Sequence, residues 1–226
     1  MKRPGVIVAV AIVSIASIFA YYVLFDGNTN RFRLTLEVET PDGLKSGSSV
    51  IQTWSWESGC WGPIEACGIR SRARGEAVFV DLGHGKNVIG ILGWGPSGLD
   101  QDKIYGLTRA ALAPGQRVAW NDEQKLKGRG DLPPDYVPTL ITFADLNDPK
   151  TARVVRPDEF EQVFGPGVHF RRASIETTSA PVTRGIEKKL PWWSLPGRPA
   201  TVARRAWMSG NTTGPSISSE SLFLME

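Results

Sequence analysis

The sequence predicts a β-rich α+β domain, a largely antiparallel sheet with one or two short helices, preceded by a single transmembrane helix. Three observations lead there. Residues 6–25 form an apolar run without one charged residue, and residues 31–39 alternate apolar and polar without a break. The remainder carries 24 glycines and 16 prolines, punctuation that leaves room for turns and strands but few long helices.

The apolar run comes first. Twenty residues rising about 1.5 Å each span about 30 Å, the thickness of a bilayer's hydrocarbon core. Tyr21 and Tyr22 suit the interface at its end. A cleaved signal peptide is the rival; its apolar core is typically about 7–15 residues and ends at a small-x-small site. The nearest match here, Ser17-Ile18-Phe19-Ala20, is followed by further apolar residues through Leu24. An uncleaved anchor is therefore expected. Lys2, Arg3 and the terminal amine outweigh Arg31 and Arg33 offset by Asp26, which places the N-terminus in the cytoplasm. The expected location is single-pass in the inner (cytoplasmic) membrane, with the domain on its far side. The chain then divides into a cytoplasmic stub at 1–5, the anchor at 6–25, a linker at 26–30, a β-rich domain at 31–194 and a disordered tail at 195–226.

In the domain, residues 31–39 place every even residue on an apolar face and every odd one on a polar face, the period of a half-buried strand. Thr40-Pro41-Asp42-Gly43 is a turn, since Pro presets φ and Gly supplies positive φ. Residues 48–56 alternate again and complete a hairpin. Val50, Gln52, Trp54 and Trp56 share one face, and the two tryptophans are read as inner-face packing. Arg70, Arg72 and Arg74 alternate on a solvated edge. Residues 75–82 and 88–92 are apolar runs around Gly83-His84-Gly85-Lys86-Asn87, a central hairpin covered on both faces. Residues 104–112 suit a strand or a short helix, and 115–134 read as a long exposed loop containing Trp120, the kind of segment that carries binding residues. Strands follow at 137–143 and 151–155. A short helix spans 157–164, with Pro157 and acids in its first turn and Gly165 after it. Residues 168–177 form a strand, and 181–190 a second short helix.

Composition excludes some functions. Setting aside Lys2, Arg3, Arg198, Arg204 and Arg205 from the 26 basic residues, and Glu220 and Glu226 from the 23 acidic ones, leaves a body with equal numbers of each sign. Nucleic acid is thus not an expected partner, because phosphate neutralisation needs a clustered basic excess. The two cysteines, Cys60 and Cys67, are expected to form a disulfide in an oxidising compartment. Closing so short a loop contributes about 2.5 kcal/mol on the chain-entropy account.

Candidate chemistry is sparse. Asp81 and His84 lie three residues apart, and an Asp-oriented His can act as a general base; the same residues also describe a hairpin tip. His169 sits in a strand with no His-x-x-x-His partner, so no metal signature arises. Gly93-Trp94-Gly95-Pro96-Ser97-Gly98 matches G-x-G-x-x-G, but Pro96 interrupts the turn, and the first acidic residues after Leu112, Asp122 and Glu123, lie in a polar loop and not at a strand end. Asp145, Asn147 and Asp148 form a turn lacking the closing Glu of a calcium loop. No cofactor is expected.

The segments GEAVFVDLGHGKNV, PTLITFADLNDPKTARVV and RPDEFEQVFGPGVHFRRASIETT resemble an uncharacterised family of bacterial single-span membrane-anchored proteins. The resemblance covers roughly residues 31–193 and implies a β-rich extracytoplasmic domain behind one anchor; it carries over no catalytic residue. The cysteine segment and the tail fall outside it. Two functions are expected: a non-catalytic binding or accessory module for an envelope protein or cell-wall ligand, or a periplasmic hydrolase-like enzyme using His84 or His169 with Asp81.

Overall fold

A computed structural model describes residues 28–58, 68–96, 98, 100–194 and 224–225. The run 6–25, Cys60 and Cys67 lie outside the described residues. Among the described residues, no helix is long and apolar enough to cross a membrane.

The alternating segment forms strand β1 (Asn28–Thr40), beginning inside the stretch read as a linker. Its even residues Phe32, Leu34, Leu36 and Val38 are all buried. It turns through Pro41 and Asp42 into β2 (Gly43–Ser58), with Thr40 opposite Gly43 and Asn28 opposite Ser55. Next come β3 (Gly68–Glu76), β4 (Val78–Gly83) and β5 (Lys86–Gly90). Helix α1 (Leu107–Leu112) is preceded by a 3-10 turn, which settles the 104–112 segment as helical. After it run β6 (Arg129–Asp131), β7 (Leu140–Phe143) and β8 (Ala152–Val154). Helix α2 (Phe160–Phe164), β9 (His169–Thr177) and β10 (Leu224–Met225) complete the order.

Two antiparallel sheets result, one ordered β10-β3-β2-β1-β9-β6 and the other β4-β5-β7-β8. The main core lies between them and joins the even residues of β1 and Ile51 to Val78, Val80 and Val88, with Phe160 and Phe164 at one end and Trp94 and Ile104 at another. A second cluster covers the other face of the smaller sheet, where Ile186, Leu190 and Trp192 pack on Ile89, Ile141 and Phe143. That explains why residues 88–92, around β5, read as a continuous apolar run: both faces of the strand are dry.

Several expectations change. Trp54 and Trp56 are not inner-face packing. Ser49, Val50 and Ile51 are the most buried residues of β2, whereas Trp54 is half-buried and Trp56 is 36% exposed. Period 2 fixes which residues share a face but leaves open which face turns inward: Ile51 joins the main core, while on the tryptophan face burial covers Val50 and Gln52 and is lost towards Trp56. The helix expected at 181–190 is only a 3-10 turn (Ile186–Lys188). β6 lies inside the segment read as loop and pairs with β9. Within the stretch read as a disordered tail, Leu224 and Met225 pair with Glu76 and Gly75 of β3. The β4–β5 hairpin is as expected, although β4 forms an edge. Its tip has His84 at φ 53° and Gly85 at φ 75°, the two positive φ angles that a two-residue hairpin turn demands.

Candidate functional site

The far end of the β1–β2–β3 ribbon, away from the Pro41 turn, meets the segment 100–136 in a cleft of about 380 Å³. Ser55 and Ser71, opposite each other in register, form one wall, and their hydroxyls are hydrogen-bonded at 3.0 Å. The facing wall is built by the 3-10 turn Asp102–Gly106, by α1, and by a second 3-10 turn, Trp120–Lys125. The Asn28 side-chain amide donates to the Trp120 carbonyl and ties that turn to the first residue of β1.

Buried charge marks the site. Glu123 is 7% exposed and its carboxylate meets the Arg109 guanidinium at 2.9 Å. Burial pushes the Glu123 carboxyl above its ordinary value, and the positive charge of Arg109 pulls it partly back. Tyr105 is likewise shifted up, first by burial and then by the neighbouring Asp102 carboxylate. Lys103 donates to the Asp135 carbonyl at 2.9 Å with its ammonium 5.7 Å from the centre of the Tyr136 ring. The indole N–H of buried Trp94 donates to the Tyr136 main-chain carbonyl at 2.8 Å and holds the backbone that carries that ring. Trp120, Tyr105 and Tyr136 thus stand around an ion pair, with Asp100 and Asp102 also in the lining. Apolar ring faces beside fixed donors and acceptors are the equipment of a ligand site.

A second cleft of about 460 Å³ lies between Phe79 and the segment 183–189. Its buried Glu76 accepts the Ile186 N–H at 2.8 Å. Desolvation pushes the Glu76 carboxyl up, opposed by main-chain donors and reinforced by the Glu187 charge. These bonds hold the covering segment on the small sheet, so the carboxylate is committed to the fold.

The residues singled out in the sequence stand elsewhere. His84 is at the β4–β5 tip, its side chain 80% exposed, and its Nε2 is 3.4 Å from Asp42. The Asp81 carboxylate accepts the Gly83 N–H at 2.8 Å, closing the same turn. His169 is exposed at the start of β9, opposite Glu39. None of the three lines either cleft. Trp94 and Asp100, on either side of the glycine-rich segment, bridge each other, and Asp100 lines the cleft. Asp145 accepts from the Asn147 main chain and side chain at 2.8 and 2.9 Å, an Asx turn whose bonds depress its carboxyl. No cluster of metal-ligating side chains occurs among the described residues.

Arg109, Glu123, Tyr105 and Tyr136 carried no sequence motif. The available signal was the long polar loop with Trp120, which does supply Glu123. Compared with family models, curated proteins and solved structures, the chain matches none.

Proposed function

We propose that this protein is a non-catalytic binding module anchored in the bacterial inner membrane by residues 6–25. Its domain faces the periplasm, and the cleft around Arg109 and Glu123 takes a cell-wall glycan. The observation that carries the reading is the grouping of Trp120, Tyr105 and Tyr136 around the pair formed by buried Glu123 and half-exposed Arg109. A sugar ring has an apolar C–H face and a polar rim; aromatic faces match the first, and carboxylate, guanidinium and hydroxyl groups match the second. Membership of the anchored family named above is part of the same proposal. The hydrolase reading through Asp81 is less well supported, because its carboxylate is engaged by Gly83 and both histidines stand outside the cleft.

Co-sedimentation of the full chain, in detergent, with purified peptidoglycan sacculi tests this. The expected result is saturable retention with no release of soluble sugar or peptide. Absence of retention contradicts glycan binding; retention with released fragments makes the protein an enzyme.

A further inference from the structure

Opposite the cleft, the other face of β2 and β3 has a different character. Trp54 lies opposite Arg72 and Trp56 opposite Arg70, while Arg74 reaches diagonally to place its guanidinium 5.5 Å from the Trp54 ring centre. All three arginines are exposed. Their register partners Gln52, Trp54 and Trp56 are uncharged. Among the described residues none of the three forms an ion pair, whereas Arg129 and Arg172 pair with Glu37. Among the described residues, the face is therefore basic and aromatic with no carboxylate paired to these arginines.

Its position follows from chain length. Asn28 lies opposite Ser55 and Thr29 opposite Trp54, so β1 starts beside this patch. Only Asp26 and Gly27 separate β1 from the apolar run. Three residue steps reach about 10 Å at most, and β3 is two strand spacings, about 10 Å, from β1. We propose that Trp54, Trp56, Arg70, Arg72 and Arg74 rest against the anionic phospholipid headgroups of the membrane that residues 6–25 span; this rests on the anchoring reading. Guanidinium groups fork onto phosphate oxygens, and indole rings settle at the headgroup level. Basic residues this close to an anionic surface are drawn to it within a Debye length. With this face down, the cleft on the reverse side of the same strands turns away from the lipid.

The test reconstitutes the full chain into nanodiscs of phosphatidylcholine with or without phosphatidylglycerol, both containing phosphatidylcholine brominated near the headgroup end of its chains. Tryptophan quenching is expected to be about twofold stronger in the anionic discs and to lose that excess in high salt. The excess should disappear in Trp54→Phe/Trp56→Phe and in Arg70→Gln/Arg72→Gln/Arg74→Gln. Equal quenching in both discs overturns the proposal, as does an excess that the tryptophan variant retains. If the arginine variant keeps the excess but self-associates, the arginines only guard the part of β3 beyond its short pairing with β10, and the proposal fails. A variant that does not melt cooperatively is set aside, and the lipid and salt dependence of the unaltered chain decides. Alkaline washing separates the two readings: extraction of the unaltered chain from vesicles removes the anchor and this proposal together, whereas retention with equal quenching removes this proposal alone.

Discussion

Glu37 occupies a polar position of β1, yet it is 6% exposed. Arg172 holds it with two bonds, Nε to Oε2 at 2.9 Å and Nη2 to Oε1 at 3.0 Å, and Arg129 approaches to 3.3 Å. The Arg172 hydrogen bonds, helped by the charges around them, hold the carboxyl below its ordinary 4.5 despite burial. A lowered folded value contributes stability that is present above the unfolded value and lost as pH falls through the folded one. The melting temperature of Glu37→Gln should thus fall less than that of the unaltered chain between about pH 5 and pH 3, followed by circular dichroism. Glu76 has the opposite sign. Its raised folded value means its stabilisation is fully present below 4.5 and is lost as pH rises through the folded value. Glu76→Gln keeps an acceptor for the Ile186 N–H while removing the buried charge. Its melting temperature should gain on the unaltered chain from about pH 5 to pH 8.

At the scale of elements, β2 and β4 approach unusually closely where Gly47 faces Phe79. A Cβ on Gly47 would stand 2.1 Å from the Phe79 carbonyl oxygen, a main-chain atom held by the β4–β5 hairpin. Gly47→Ala should cost about 3 kcal/mol, the upper part of the usual overpacking range, read as a lower urea midpoint. Phe160 contributes similarly through packing: it is fully buried in α2 with Phe164 and Phe170 at 5.2 and 5.5 Å between ring centres. Phe160→Ala should cost about 3–5 kcal/mol in the same assay.

These elements also show what the sequence reveals. β1, the Pro41 turn, the β4–β5 hairpin and α2 were legible because each carries a local signal: period 2, paired turn residues, or Pro and Gly at helix ends. β6 was not, since Arg129, Gly130 and Asp131 become a strand only through pairing with β9. The face of β2 that joins the main core was misread because side-chain size was taken as a sign of burial; Ile51 and Ala73 belong to that core, and Trp56 is exposed. The cleft was largely illegible for a related reason: Arg109 and Glu123 meet through the path of the chain, not through any fixed spacing.

For the whole molecule, the cleft, the arginine–tryptophan face and the start of β1 gather at one end, while both histidines stand beside the Pro41 turn at the other. An anchored module working at the first end needs its cleft side chains and is indifferent to the histidines. Retention on purified peptidoglycan sacculi, compared across Arg109→Ala, Trp120→Ala, His84→Ala and His169→Ala chains of matched thermal stability, tests that division most directly. The account predicts that each cleft variant loses at least about 1.4 kcal/mol of binding, a tenfold weaker association, while both histidine variants bind as the unaltered chain does. Unchanged binding by the cleft variants, or loss in the histidine variants alone, would contradict it.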